Sequence, residues 1–473
     1  MKARDAADLL LTPLLFGLCS VLAPALCLAQ SPPDPYANSD GSIPDSVQYS
    51  GPLFRLSHDY PNQVSAAAHF PWQEAIGDGR ITTANAGAYA TALKAFVSKD
   101  MAALLTDYPS WNAGERGWFN EPWLGSIRES IHGLYVGSDG FTPDLFSGSG
   151  LSKPFTTYVL TYYDRRAANT LFRVWGGAAT NPTININSSQ FAEGSVVVKL
   201  AFSTANDDVW PVMAGTLKWP AFVTKNATTG NHPKPQVDQL SFFQLDIIVK
   251  DSASAPKTGW VFTTLVYDKD APGSSLWDKM IPLGAMWGND PDINSETNPN
   301  ARLQETWVNP AAPSYSKATL GWGGRLSGPN DGAVNEAAII EGGQMRKIAA
   351  LPSSSCMSCH GVSEWEMGSF LLPSTTMPPT FIDNEYVLMP APGSLDWMRW
   401  FQSRSGLEAQ DKQKVAFDYD LVFVFKSLPL WQQATGQKPT TVILTRRGKP
   451  IELFQYNGLP MPNPAGIENG VPR

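Results

Sequence analysis

The sequence predicts an α+β protein that is rich in β-strands. Glycine and proline are both frequent, with 39 residues of each in a chain of 473, which favours short strands and ordered loops over a helical bundle. Several runs of β-branched and aromatic residues are long enough to form strands, and one long stretch carries apolar residues at helical spacing. Hydrophobic residues make up 43% and charged residues 16%, a balance typical of a folded chain.

The start of the chain has the pattern of a secretory signal peptide. Basic residues precede an apolar run over residues 9–28, and a small residue, Ala29, stands at the expected cleavage site. An uncleaved membrane anchor is the alternative, although Pro13 and Pro24 interrupt the run. We therefore expect residues 1–29 to be removed and the mature chain to be periplasmic, with no stable membrane span.

Residues 30–170 form an N-terminal region that we expect to be partly helical and whose function the sequence does not assign. The stretch from Tyr89 to Met101 has apolar residues at helical spacing, and the polar residues 82–85 precede it as possible caps. Residues 155–163 are β-branched and aromatic, and they predict a strand.

Residues 171–345 form a β-rich region with long loops. Apolar runs at residues 196–202, 242–249 and 260–267 predict three strands of an antiparallel sheet or small barrel. Residues 268–335 have the composition of loops, and loops of this length in an ordered protein usually cover another part of the fold.

The last third of the chain carries weaker signals. Residues 394–403 have a helical pattern, and residues 420–428 are apolar enough for either a strand or a helix. One more strand is predicted at residues 441–445, within a C-terminal tail over residues 436–473.

The cysteines point to a cofactor. The chain has four, and signal cleavage would leave Cys356 and Cys359, which belong to the sequence Cys-Met-Ser-Cys-His. This pattern is the attachment signal of c-type haem, in which two thiols bind the haem covalently and the adjacent histidine, here His360, binds the iron. We therefore expect one haem c in a binding segment over residues 346–435, packed against the antiparallel sheet or small barrel.

A Cys-x-x-Cys pair has two other common uses. A dithiol redox pair of the thioredoxin kind would follow a strand and open a helix, whereas serines precede this motif and Gly361 follows it. A structural zinc site would need a second pair of ligands, and no further cysteine remains in the mature chain.

Several segments resemble the cytochrome P-460 and cytochrome c′-beta group, over about residues 191–425. Residues 191–199 (FAEGSVVVK) are similar to a Phe-Pro-x-Gly-Thr-x-x-x-Lys strand of that group. Residues 248–251 (IVKD) and 258–262 (TGWVF) resemble its Val-Lys-Asp and Gly-Trp-x-Phe strands. The haem peptide then follows, and residues 418–423 (DYDLVF) look like its closing element.

The resemblance implies a mostly antiparallel β fold beside a five-coordinate c-type haem with His360 as the proximal ligand. In the hydroxylamine-oxidising members a strand lysine is cross-linked to the haem, and Lys199 matches its position, whereas other members lack the link and bind small gases. A solvent-exposed lysine at a strand end is the alternative for Lys199. The chain departs from the family by an insertion between the Trp260 strand and Cys356, which could rebuild the distal pocket.

The sixth iron ligand distinguishes the possible functions. An electron-transfer cytochrome commonly uses a methionine, and Met389, followed by a proline, is the best candidate for a distal ligand. Arg325 is a candidate partner for a haem propionate, with a surface salt bridge as the alternative. Among the remaining histidines, His132 is the most noteworthy, although a lone histidine is usually structural.

The sequence therefore predicts an exported monohaem c-type cytochrome that performs one-electron redox chemistry with redox partner proteins in the periplasm. The alternative is a five-coordinate haem enzyme, an oxidoreductase like cytochrome P-460, or a gas-binding protein acting on small nitrogen or oxygen species. A third possibility is that the N-terminal region is a binding module. A net charge of −8 without a Lys/Arg-rich run argues against a nucleic-acid partner.

Overall fold

The computed structural model describes residues 43–472 with internal gaps. The gaps are residues 66–68, 123–126, 140, 178–181, 333, 336, 342–343, 348–350, 368–372, 374–380, 383–385, 440–442, 447–448, 453–466 and 469–470. The predicted signal peptide, residues 1–29, lies outside the described residues.

A nine-stranded antiparallel sheet forms the body of the protein. Its strands are β1 (Trp118–Phe119), β2 (Tyr135–Val136), β3 (Thr157–Asp164), β4 (Val196–Ser203), β5 (Lys218–Val223), β6 (Gln236–Lys250), β7 (Trp260–Tyr267), β8 (Met280–Met286) and β9 (Thr306–Val308). The order is β1-β3-β4-β6-β7-β8-β9, with β2 paired to β3 and β5 paired to β6. This architecture confirms the prediction of a β-rich α+β protein with an antiparallel sheet.

The predicted strands in the first two regions are all present, and they join into this one sheet. β3 comes from the N-terminal region and pairs with β4, whose other neighbour is the long strand β6. These strands are buried almost throughout because both faces of the sheet are covered. One face packs on a helix from the N-terminal region, and the other packs on segments from the C-terminal half.

The described helices are few, and most are short. They are α1 (Pro71–Glu74), α2 (Ala86–Thr106), α3 (Arg165–Trp175), α4 (Leu276–Lys279), α5 (Ser314–Lys317), α6 (Cys356–His360), α7 (Leu395–Met398) and α8 (Leu428–Thr435), with a π-helical turn at Phe423–Ser427. α2 confirms the predicted N-terminal helix and buries Tyr89, Leu93 and Met101 against the sheet. Among the residues that the structure describes, no helix has both the length and the apolar character that a bilayer span requires.

The prediction that residues 268–335 are mostly loop is wrong for β8 and β9. The sequence of β8 contains Pro282 and Gly284, which hide the strand pattern. The glycine is needed because a Cβ atom there would lie 2.4 Å from the carbonyl oxygen of Trp307 in β9. The close approach of the β8 and β9 backbones therefore explains why a glycine, which is typical of loops, occupies this strand position.

The C-terminal half adds short elements around the sheet. Residues 421–428 are helical, and the predicted helix at 394–403 is reduced to the single turn α7. A four-stranded sheet of order β12-β11-β16-β15 is formed by β11 (Ala337–Glu341), β12 (Gln344–Lys347), β15 (Phe381–Ile382) and β16 (Tyr386–Met389). Two-stranded ribbons are formed by β10 (Val334–Asn335) with β13 (Leu351–Pro352), β14 (Glu364–Trp365) with β17 (Val415–Ala416), β18 (Ile443–Arg446) with β19 (Lys449–Glu452), and β20 (Ile467–Glu468) with β21 (Val471–Pro472). β18 matches the strand predicted at residues 441–445.

Candidate haem-binding site

The Cys-x-x-Cys-His sequence forms the short helix α6. The side chain of Ser355 caps this helix by accepting a hydrogen bond from the backbone N–H of Ser358, and its hydroxyl donates to Asn289 Oδ1 at 2.6 Å. Helical geometry places residues i, i+3 and i+4 on the same side. The side chains of Cys356, Cys359 and His360 accordingly line one cavity.

This cavity lies between α6 and the face of the sheet that packs on the C-terminal half. It has a volume of about 270 Å³ and is open to solvent on one side. Ligand pockets in proteins usually enclose about 300–1,000 Å³, so the space lies close to the lower end of the ligand-size range. Strands β3, β4, β6 and β7 contribute one wall, and residues from the segments 327–331 and 421–426 contribute others.

His360 is oriented for binding through one ring nitrogen. Its Nδ1 lies 2.7 Å from the carbonyl oxygen of Tyr419, and because a carbonyl only accepts hydrogen bonds, Nδ1 carries the proton. Burial lowers the pKa of His360 to about 4, so the ring is neutral at pH 7 and Nε2 retains a lone pair. The ring packs against Phe262 with centroids 4.7 Å apart. A neutral imidazole with a backbone partner on Nδ1 is the usual form of a histidine metal ligand.

The two thiols are free and partly buried at the edge of the cavity. Burial raises the pKa of Cys356 well above its usual value and raises that of Cys359 to about 12. A catalytic dithiol requires a lowered thiol pKa, so this environment does not favour the thioredoxin-like alternative. Within the described residues no group of three or more His, Cys, Asp or Glu side chains could hold a metal ion, so no zinc site is assembled there. Two protonated thiols beside a neutral imidazole do fit covalent haem.

Lys199 lies in the same cavity as the haem peptide. On β4 it stands directly opposite Asp246 of β6, and its Nζ is 3.1 Å from Asp246 Oδ2 and 2.6 Å from Asp331 Oδ1. Its side chain is 20% exposed, so the alternative of a solvent-exposed lysine at a strand end is wrong. Burial by itself would lower the pKa of Lys199, but the two carboxylates outweigh burial and raise it above its usual value.

Polar side chains complete a network around Lys199. Gln244 Nε2 donates to Asp331 Oδ2 at 2.7 Å and to Asp246 at 3.0 Å, and Thr264 Oγ1 donates to Asp246 Oδ1 at 2.7 Å. Asp331 comes from the insertion between β7 and the haem peptide, so the insertion does contribute to the cavity wall. The haem cross-link at Lys199 stays a prediction.

Sequence reasoning missed these two aspartates. Asp246 interrupts the apolar run Phe-Phe-Gln-Leu-Asp-Ile-Ile-Val, and a charged residue within a buried strand is a signal that could have singled it out. Asp331 lies in a Gly-Pro-Asn-Asp-Gly turn, where an aspartate is ordinary. Its role depends on a contact that only the folded chain makes.

The other predicted ligands have different outcomes. Met389 ends β16, where its backbone pairs with Ile339 of β11, but its side chain lies outside the described residues, so the prediction of a distal ligand stays open. The cavity lining, as far as the structure describes it, contains no methionine and no histidine besides His360.

Arg325 and His132 are structural residues. Arg325 is fully buried and donates to the backbone carbonyls of Asn289, Asp290, Ile293 and Trp322, so neither a propionate contact nor a surface salt bridge describes it. His132 is stacked on Trp219 with centroids 4.2 Å apart, and its Nδ1 lies 2.8 Å from the carbonyl oxygen of Pro220. It does not line the cavity beside α6.

Comparison of the chain with protein-family models, with curated proteins and with solved structures finds no match in any of the three.

Proposed function

We propose that this chain is an exported, periplasmic monohaem c-type cytochrome that performs one-electron redox chemistry. The observation that carries the proposal is that Cys356, Cys359 and His360 line one cavity of ligand size, with the imidazole neutral and fixed through Nδ1. The thiols would hold a single haem c covalently, and His360 would be its proximal ligand. Bound haem supplies a one-electron iron couple whose potential the surrounding protein sets.

The residues around the cavity supply binding and shielding. Phe262 and Ile248 give it apolar walls on the sheet side, which excludes water from one face of a flat ligand. At the edge, Phe425 lines the cavity and is 43% exposed, and Val136 nearby is 38% exposed. Exposed apolar side chains at a cofactor edge suit transient contact with a periplasmic redox partner protein.

A second candidate function is favoured by the charged network. Ionised side chains lie inside the cavity, those of Lys199, Asp246 and Asp331. An electron carrier, by contrast, needs only a haem that is shielded from water. This network supports a five-coordinate haem like that of cytochrome P-460 or cytochrome c′-beta, acting on small nitrogen or oxygen species. In a cross-linked form, proteolysis would yield one haem joined to two peptides, those of Lys199 and of the Cys-x-x-Cys-His sequence.

Attachment is tested by the mass of protein produced in a host that attaches haem c. We expect polypeptide plus one haem, an N-terminus at Gln30, and loss of the haem mass in Cys356→Ala/Cys359→Ala. Ser358→Ala, a change inside the motif that leaves both thiols and His360 in place, is the matched control and should keep the haem. Folded wild-type protein of polypeptide mass alone would refute the proposal.

The ligation state then separates the two candidate functions. A low-spin ferrous spectrum that carbon monoxide does not change indicates a strong sixth ligand and an electron carrier. A high-spin spectrum that carbon monoxide shifts indicates an open position and excludes Met389 as the distal ligand.

A further inference from the structure

We propose that Asp418 is the positioning residue for the proximal histidine. Its side chain anchors the turn that presents the Tyr419 carbonyl oxygen to His360 Nδ1. The inference rests on the proposed function, because it concerns how the protein would tune a haem iron bound to His360. It assigns a role in tuning the haem iron to a residue outside the Cys-x-x-Cys-His sequence.

The carboxylate of Asp418 is fully buried and has three partners from separate parts of the chain. Oδ1 is 2.6 Å from Lys250 Nζ at the end of β6 and accepts a hydrogen bond of 2.7 Å from Trp260 Nε1 at the start of β7. Oδ2 accepts a hydrogen bond of 2.8 Å from the backbone N–H of Phe191. The side chain of Lys250 is itself only 8% exposed, so the ion pair is shielded from water.

These anchors hold an unfavourable backbone. Asp418 and Tyr419 have φ angles of +46° and +69°, so two consecutive residues other than glycine occupy the left-handed region. Aspartate tolerates this region better than most residues, but a tyrosine there needs support from its surroundings. The Tyr419 hydroxyl provides some by donating to the carbonyl oxygen of Arg404 at 2.7 Å.

The next residue fixes the other side of the turn. Asp420 Oδ1 accepts a hydrogen bond of 3.0 Å from the backbone N–H of Phe423, and Oδ2 accepts one of 2.9 Å from the Tyr163 hydroxyl. The Tyr419 carbonyl is therefore held between two anchored aspartates. Its direction sets the angle of the His360 ring and the strength of the Nδ1 hydrogen bond.

That hydrogen bond affects a metal ligand in a known way. A partner on the second ring nitrogen fixes the orientation of the imidazole and increases its basicity. A more basic proximal ligand stabilises ferric over ferrous iron and lowers the reduction potential. Loss of the Asp418 anchors should therefore weaken the bond and raise the potential.

The test uses the haem-loaded protein and two variants. In Asp418→Gly the backbone tolerates the left-handed conformation but all three anchors are lost, so we expect a higher reduction potential and, in the five-coordinate ferrous state, a lower iron–histidine stretching frequency. Trp260→Phe removes one hydrogen bond and keeps the ring, and should give a smaller shift of the same sign. Trp260→Phe also tests the positioning role if Asp418→Gly does not fold.

Two further variants separate positioning from charge and from stability. Lys250→Met/Asp418→Gly leaves the net charge of the pair unchanged but still lacks all three anchors, so positioning requires the potential to stay above the wild-type value, whereas a return to that value would show that charge alone is responsible. Met101→Ala in α2 creates a cavity in the core on the other face of the sheet and should lower stability without moving the potential.

The outcomes are distinct from those of the proposed function. If wild-type protein carries no haem, both proposals fall together. If it carries haem and neither Asp418→Gly nor Trp260→Phe changes the potential, only the positioning role is refuted. An equal shift in Met101→Ala would refute it as well, because the effect would then follow from destabilisation.

Discussion

Lys199 and Asp246 face each other directly across the β4–β6 pair, with 3.1 Å between Nζ and Oδ2. Asp331 joins them from the long segment that precedes the haem peptide, so one ammonium group neutralises one of two neighbouring carboxylates. Because these three side chains are largely shielded from water, the charge state of each one depends on the charges of the other two. The network thus links the sheet to the insertion within the candidate haem cavity.

Removal of the lysine should destabilise the fold. In Lys199→Met the two carboxylates face each other without a counter-charge, and we expect a loss of about 2 kcal/mol in the free energy of unfolding, less than for a fully buried pair because Asp331 is partly exposed. Lys199→Met/Asp331→Asn should recover part of that loss. Urea denaturation of haem-free protein measures both.

The matched control for this prediction is Lys218→Met. Lys218 also pairs with an aspartate, Asp207, but both side chains are more than one-third exposed, so the loss should be below about 0.5 kcal/mol. Equal effects of the two lysine substitutions would contradict the importance of the cavity network.

The sequence alone predicts the local part of this architecture. The strands β3, β4 and β7 follow from continuous runs of β-branched and aromatic residues, and the Cys-x-x-Cys-His sequence is a local pattern of five residues that predicts a haem site. The contact of Lys199 with Asp331 joins residues 132 positions apart, and no local pattern indicates it. Such pairings depend on the strand order and on the path of long loops.

The anchored turn at residues 418–420 shows a second reason why the sequence does not predict the whole structure. The tyrosine in its Asp-Tyr-Asp sequence gives no sign of a left-handed backbone, because glycine or asparagine would be expected there. The conformation results from partners at Phe191, Lys250 and Trp260, all distant in the chain. The local preference for glycine or asparagine does not apply here, because several tertiary contacts together hold the backbone in this conformation.

Gly284 allows a test of strand β8, which the composition of the sequence does not indicate. In Gly284→Ala the new Cβ atom would lie 2.4 Å from the Trp307 carbonyl oxygen, and because both atoms belong to rigid backbone, β9 must move. We expect a loss of about 1–3 kcal/mol in the free energy of unfolding. Gly79→Ala is the control, since its nearest neighbour would be 3.8 Å away, and it should change stability by less than about 0.5 kcal/mol.

The burial of His132 makes stability depend on pH. Desolvation lowers its pKa in the folded state to about 4, whereas the unfolded chain takes up the proton near the ordinary value of about 6.5. Protonation therefore favours unfolding in this window: the stability that His132 contributes is complete above about pH 6.5 and is lost as the pH falls toward 4. The pKa difference corresponds to about 3 kcal/mol.

A difference measurement isolates this histidine from other titrating groups. His132→Gln keeps a side-chain donor for the Pro220 carbonyl but has no proton to gain, so its free energy of unfolding should fall less steeply than that of wild type between pH 6.5 and 4. Parallel curves for the two proteins would show that His132 is not the group responsible.

The cap of α6 should control how well the two thiols are presented for haem attachment. Ser355→Ala removes both the capping bond to the Ser358 N–H and the hydrogen bond to Asn289, and we expect a loss of about 1 kcal/mol in stability. Because α6 holds Cys356 and Cys359 on one side, the fraction of molecules with haem mass should also fall. Ser394→Ala is the matched control: it removes the equivalent cap of α7, a helix without cysteines, and should cost similar stability while leaving haem attachment at the wild-type level. An equal loss of haem in both variants would indicate that attachment follows overall stability and not the geometry of α6.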